Sequence, residues 1–265
     1  MSVTYPLGFR AGGIQAGLRT TPGLDLALIV NDGPADVVAG VFTTNRVCAA
    51  PVQWSRHATA DHKARAVIVN AAVANACTGI DGFADCDITF SRVDSDACMS
   101  TNDTVVAMAS GASGISLTGD ELTDALTELC AILARQLVAD AEGSHHDVKV
   151  TVTGAISTEA AVAVAREVTR SNLVKTAIAG NDPNWGRILA AIGCVPENVA
   201  PFDPDQVDVS INDIQICKAG GIGEDRNLVD MRPREVHIDI ELHAGDAEAA
   251  VWTNDLTHQY VEENS

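Results

Sequence analysis

A chain of 265 residues, 46% hydrophobic and 20% charged, can bury a substantial core and lies outside the disordered class. Its formal net charge of −19 repels nucleic-acid phosphates and anionic lipid, and no run approaches the roughly 20 apolar residues that span a bilayer. Seven cysteines, an odd number with no C-x-x-C pair, argue against a disulfide framework and a zinc ribbon, and the histidines show no metal-ligand spacing. Only four lysines occur, and aspartates outnumber glutamates, a composition that suits folding in concentrated salt, where screening removes self-repulsion. The start, MSVTYPLGFRAGG, has no basic segment followed by an apolar one, so the expectation is a protein without a signal peptide, located in the cytoplasm.

Gly8 to Leu18 is a glycine-rich opening segment. Strands are predicted at Asp25–Val30 and Val37–Thr43, joined as a hairpin by the turn Asn31-Asp32-Gly33-Pro34. Ala66–Asn70 is a third, β-branched run that reads as a buried strand. Ser100-Thr101-Asn102-Asp103 offers N-cap side chains before Thr104–Ser110, and Gly111 closes that segment, which predicts a helix. The clearest helix follows. Thr118-Gly-Asp-Glu121 is a capping box, and Leu122, Leu126, Leu129, Leu133 and Leu137 recur at helical spacing.

Val148–Thr153 alternates valines with polar residues and predicts a half-buried strand. Ser157 caps a helix running to about Thr169, which Asn172–Ala179 continues after a break. Asn181-Asp-Pro-Asn184 is a turn and Trp185–Ile192 a short helix. Val207–Ile211 and Ile214–Lys218 form a hairpin across Asn212-Asp213. Val236–Leu242 and Glu248–Thr253 form a second pair across Ala244-Gly245-Asp246, and Asp255–Glu262 is a terminal helix. This order predicts an α/β (α+β) protein.

Catalytic motifs are sparse. The chain has no G-x-S-x-G elbow, Walker loop or G-x-G-x-x-G. Cys77 and Cys98 are conceivable nucleophiles, but nothing in the sequence places a histidine beside either, and inert buried thiols are the commoner case. Glu142 stands between the long helix and a strand, where a side chain can face a cleft; a solvated acid is the plainer reading. Lys175 to Arg187 concentrates Gly, Pro, Trp and Arg, either as a functional loop or as a helix–turn–helix corner with Trp185 as packing anchor. Tyr260 to Ser265 reads as a frayed tail or as a further part of a site.

Several segments resemble, in order, the ornithine acetyltransferases (glutamate N-acetyltransferases) of arginine biosynthesis. Gly8-Phe-Arg-Ala, Asn31-Asp-Gly-Pro, Gly40-Val-Phe-Thr-Thr-Asn-Arg46 and Asn75-Ala-Cys-Thr-Gly79 are similar to the N-terminal part of that family. Phe90-Ser-Arg-Val-Asp-Ser-Asp, Ser100-Thr-Asn-Asp-Thr104, Asp140-Ala-Glu-Gly143, Asp182-Pro-Asn-Trp-Gly-Arg187 and Asp255-Leu-Thr-His-Gln-Tyr-Val261 are similar to its C-terminal part. The resemblance implies a layered sandwich of two mixed sheets flanked by helices, with 1–88 and 89–265 as its N- and C-terminal parts. It implies acetyl transfer from N-acetylornithine to glutamate, with acetyl-CoA as an alternative donor, through a threonine exposed by self-cleavage and a Thr-Gly oxyanion loop. Glu142 and Asn264 match the residues that hold substrate. No cofactor is implied, and the expected assembly is a homo-oligomer or association through exposed faces.

The departures bear on the chemistry. The Lys-Gly-x-Gly-Met run leading to Ala-Thr-Met-Leu is nowhere in the chain, and neither is the Ser-Thr-Gly loop. The resemblance breaks between about Asp85 and Thr89, where roughly a third of a family member has no counterpart, too much for a trimmed loop. Asn70-Ala-Ala-Val stands in place of Asn-Ser-Gly, and Ser144-His145 in place of Thr-Lys. No catalytic residue is therefore assigned. Four readings stay open: an internal deletion, in the gene or in its assembled sequence; a substrate-binding pseudoenzyme or partner subunit; an enzyme using another nucleophile such as Thr78 or Thr101; and a non-catalytic acidic α+β protein.

Overall fold

The computed structural model describes residues 2–18, 22–70, 92–98 and 100–264. They form a mixed α/β protein that divides into two compact units, one of residues 1–87 and 99–127, the other of residues 88–98 and 128–265. No helix among the described residues is long and apolar enough to cross a membrane.

The first unit contains two antiparallel sheets. Strands β1 (Phe9–Ile14), β2 (Leu26–Asn31) and β4 (Ala66–Asn70) pair in the order β1-β2-β4. Strand β3 (Val37–Phe42) pairs instead with β5 (Thr104–Ala109). The hairpin expected across Asn31–Pro34 is thus not formed, because both edges of β2 are taken by β1 and β4. Asn31 redirects the chain: its amide nitrogen donates to the Ala35 carbonyl (2.9 Å), its side-chain oxygen accepts from Gly33 N–H (2.9 Å), and its backbone N–H goes to Arg65 O (2.8 Å).

The helix expected over Thr104–Ser110 is strand β5. Its start is β-branched, and the polar residues before it satisfy one another. Ser100 and Thr101 hydroxyls both donate to Asn102 Oδ1 (3.1 and 2.9 Å), leaving no cap for a helix N-terminus. Helix α1 (Ala50–Ala58) was not anticipated; it carries Pro51 at its start and Arg56 and His57 in its last turn. The buried apolar cluster in this unit is small: Cys48, Ala49 and Val52, with Phe42 against them.

The capping box at the start of α2 (Gly119–Ala139) forms as expected, with Glu121 accepting from Thr118 N–H (2.8 Å) and Thr118 Oγ1 accepting from Glu121 N–H (3.3 Å). The leucine stripe, however, is not the buried face. Cys130, Ala134 and Val138 are buried, whereas Leu122, Leu129, Leu133 and Leu137 are exposed.

The second unit is built on a six-stranded mixed sheet in the order β11-β6-β10-β7-β8-β9. The strands are β6 (Asp147–Ala155), β7 (Asp208–Ile211), β8 (Ile214–Lys218), β9 (Gly221–Ile222), β10 (Glu235–Glu241) and β11 (Ala247–Asn254). Only β6 and β10 run parallel. Asn212 and Asp213, both at positive φ (47° and 67°), make the expected tight turn between β7 and β8.

The second expected hairpin is absent, because β6 lies between β10 and β11. The connection wraps over the end of β6: Gly154 O accepts from Ala244 N–H (2.7 Å) and Gly245 N–H (2.8 Å), and Thr153 O from Leu242 N–H (3.0 Å). Gly154, at φ +66°, permits this crossing; a Cβ there would run into the Glu241 side chain and His243 nitrogen. Helices α3 (Thr158–Arg170), α4 (Asn172–Ala179) and α5 (Trp185–Ile192) complete the core. Ser157 caps α3 by accepting from Ala160 N–H. Ala161, Val164, Ala165 and Val168 of α3 join Val148, Val150 and Val152 of β6 in one cluster. A short helix α6 (His258–Glu263) follows β11.

Candidate functional site

The end of β11 carries a run of buried polar residues, Thr253, Asn254 and Asp255, which apolar strand logic alone would not place there. Each is satisfied. Asp255 accepts the backbone N–H groups of His145 (2.9 Å) and His146 (3.0 Å) on one oxygen and faces His146 Nδ1 (2.7 Å) with the other. His146 Nε2 lies 2.9 Å from the Met231 carbonyl, so the buried ring is pinned at both nitrogens. Asn254 donates to Val138 O (2.8 Å) and His146 O (3.2 Å) and accepts from Ser95 Oγ (2.8 Å). Thr253 donates to Asp94 O (2.7 Å).

Lys175 on α4 closes this network from the other side. Its buried ammonium donates to Ser95 O and to Thr253 Oγ1 (3.1 Å). Burial holds its amine below the ordinary lysine value, and Asp94, Asp96 and Asp255 oppose that shift. Asp94 in turn accepts from Arg170 Nε (2.7 Å). Residues 92–95 are thereby fixed: Val93 bridges to Trp252, Asp94 is tied to β11 and to Arg170 of α3, and Ser95 to β11 and α4.

Glu142 is exposed on the turn after α2. The turn is seated beneath α6: Thr257, the N-cap of α6, donates to Gly143 O (2.5 Å) and accepts from Tyr260 N–H (3.0 Å). Gly143 has φ +64°, and a Cβ there would run into the Tyr260 backbone nitrogen. Burial pushes the Tyr260 phenol up, with Asp96, Cys98 and Glu142 adding to the shift. Asn264 is exposed at the other end of α6, where its side chain donates to Tyr260 O (2.9 Å). The two sequence-predicted residues therefore lie on segments that both pack about Tyr260: Glu142 on the turn under the first residues of α6, Asn264 at its C-cap.

The remaining candidates separate. Thr78 and Cys77 lie outside the described residues. Thr101 sits before β5 and donates to Asn102 (2.9 Å). Cys98 is exposed, and its backbone N–H is held by Asp96 Oδ1 (3.1 Å). The Asn181–Arg187 segment is a packing corner: Asn184 caps α5, Arg187 donates to Leu173 O (2.7 Å), Asp182 pairs with Arg226, and Trp185 packs against the core. Lys175 and Asp255 fall in segments the sequence marks out, but their joining with His146 in one buried polar network was not anticipated. A lone lysine in the apolar stretch Asn172-Leu-Val-Lys-Thr-Ala-Ile-Ala was the available signal. Among the described residues no group of three or more His, Cys, Asp or Glu could hold a metal ion.

The ArgJ family model matches residues 10–88 and 84–265 of this chain. The chain belongs to the ArgJ family. The arginine biosynthesis bifunctional protein ArgJ of Bifidobacterium longum is 40% identical over 387 residues, covering 100% of this chain and 99% of that protein. The protein of the same name from Thermobifida fusca is 37% identical over 382 residues, again covering 100% of this chain and 99% of its own length. Among solved structures, the arginine biosynthesis bifunctional protein ArgJ of Bacillus halodurans superimposes with a TM-score of 0.61 at 35% identity, over 67% of this chain and 87% of that one. By family, this ArgJ chain is an acyltransferase of arginine biosynthesis with a mixed α/β fold.

Proposed function

We propose that this chain is the scaffold of an acetyltransferase that moves an acetyl group from N-acetylornithine to glutamate, and that it lacks the threonine nucleophile and oxyanion loop of that reaction. The carrying observation is the seating of the Glu142 turn under α6, where Gly143 lies against Thr257 and the Tyr260 backbone and so anchors the segment that carries the exposed Glu142. A carboxylate there suits the side-chain ammonium of N-acetylornithine, whose α-nitrogen is an uncharged amide. Asn264 at the C-cap of the same helix is the second substrate-holding residue.

Two findings support the missing segment. The family model matches in two pieces that meet at 84–88. The alignment with the Bifidobacterium protein runs over 387 residues against 265 in this chain. Without a covalent nucleophile and oxyanion donors, the rate falls by several powers of ten. The test is acetyl transfer from N-acetylornithine to glutamate in molar KCl, with calorimetric binding of N-acetylornithine alongside. The expected result is binding without turnover, with binding weakened at least tenfold by Glu142→Ala. Turnover at the rate of an intact family member would sink the missing-nucleophile reading, and unchanged binding by Glu142→Ala would sink the assignment of Glu142.

A further inference from the structure

Glu142 and Asn264 stand on two separate segments of the second unit, the turn after α2 and the C-terminus of α6, so whatever ties these segments sets how both side chains meet one substrate. The tie is the run of residues 253–257. Asn254 donates to Val138 O (2.8 Å) and His146 O (3.2 Å), which pins the chain on both sides of the Glu142 turn. Asp255 accepts the backbone N–H groups of His145 and His146, and Leu256 N–H donates to Lys175 O (3.3 Å). Thr257 closes the run and reaches both segments at once. Its hydroxyl gives its one proton to Gly143 O (2.5 Å) and accepts Tyr260 N–H (3.0 Å) from the first turn of α6. Asn254, Asp255 and Thr257 are 3%, 2% and 8% exposed. Burying polar side chains costs free energy that their hydrogen bonds only offset, and a surface chain reversal does not need them. What they add is a turn of fixed position. Helix α6 has six residues, too few to hold itself in water, so its place too depends on the Thr257 cap.

We propose that Thr257 is a positioning residue of the substrate site, its hydroxyl locking the Glu142 turn to α6 so that Glu142 and Asn264 are held as one preformed pair. This rests on the assignment of those two residues above. Without the hydroxyl, turn and helix move independently, and affinity falls with the fraction of time they stand together.

The test compares Thr257→Val, which keeps the shape and removes the hydroxyl, with Thr257→Ser, which keeps the hydroxyl. Binding of N-acetylornithine is measured by calorimetry, and amide hydrogen exchange is followed in the ligand-free chain. Thr257→Val should raise the dissociation constant about tenfold and speed exchange in residues 141–146 and 258–264 together, with β6 and α3 unchanged. Thr257→Ser should bring both readouts back to within about twofold of the unsubstituted chain. Faster exchange in only one of the two segments overturns the proposal. So do equal losses in the two variants, or undiminished binding by Thr257→Val when Glu142→Ala loses it. A chain that does not bind N-acetylornithine, or binds it equally well as Glu142→Ala, ends the substrate reading instead, and the exchange pattern alone then decides the lock. Should Thr257→Val not fold, Thr257→Gly, which a helix N-cap tolerates well, takes its place.

Discussion

Strands β4 and β6 are both rich in β-branched residues, yet they meet opposite fates. In β6, Val148, Val150 and Val152 are fully buried and belong to one cluster with the inner residues of α3. In β4, Ile68 and Val69 are 64% and 51% exposed. Intrinsic β-preference is the same in both. What differs is whether the described residues place a second layer on the strand, and such a layer converts apolar surface into stability at roughly 25 cal/mol per Å².

The contrast can be pressed by substitution. Asp255→Ala removes the acceptor of two backbone N–H groups and of His146, and should cost about 4 kcal/mol, read from urea midpoints by far-UV circular dichroism. Ile238→Ala on β10, fully buried beside β6, should cost about 3 kcal/mol in the same assay. Lys175→Met leaves Ser95 O and Thr253 Oγ1 without their donor, and should cost about 2 kcal/mol near neutral pH.

Lys175 also sets a pH dependence. Its amine titrates below 10.5 in the folded chain and at the ordinary value when unfolded, so between the two the unfolded state binds more protons. Stability from this group therefore rises as pH is raised toward 10.5, and Lys175→Met should abolish that rise. The smallest effect is the sharpest contrast. Ile68→Ala should shift the midpoint by no more than about 0.5 kcal/mol, although it deletes as much hydrocarbon as Ile238→Ala.

Local structure was legible wherever local chemistry decides it. The capping box of α2, the Ser157 cap of α3 and the Asn212-Asp213 turn each rest on residues a few positions apart, and all formed. Pairing was not legible where a third strand intervenes. Nothing near Asn31 reveals that β4 will occupy the free edge of β2, and nothing near Gly245 reveals that β6 sits between β10 and β11. Thr104–Ala109 failed for a related reason: its N-cap residues were present but engaged one another, while β3 offered an open edge. Of the proposed site, Glu142 and Asn264 came from resemblance, and the structure places the Glu142 turn and the Asn264 side chain against the Tyr260 backbone. The buried scaffold behind them, Lys175, His146 and Asp255, depends on contacts between residues far apart in sequence, which periodicity does not report.

The pairing of β6 with β10 has a consequence for synthesis. Asp147 lies opposite Glu235, and β11 takes the other edge of β6 only after that. On the ribosome, β6 must leave the exit tunnel and wait for most of the remaining chain before either neighbour exists. During that interval α3 is the helix that packs on its valines, so the nascent chain holds a helical cap on a single strand. Slowing translation over β7 to β9 would lengthen that exposed state, and a ribosome-associated holdase would find its binding site there.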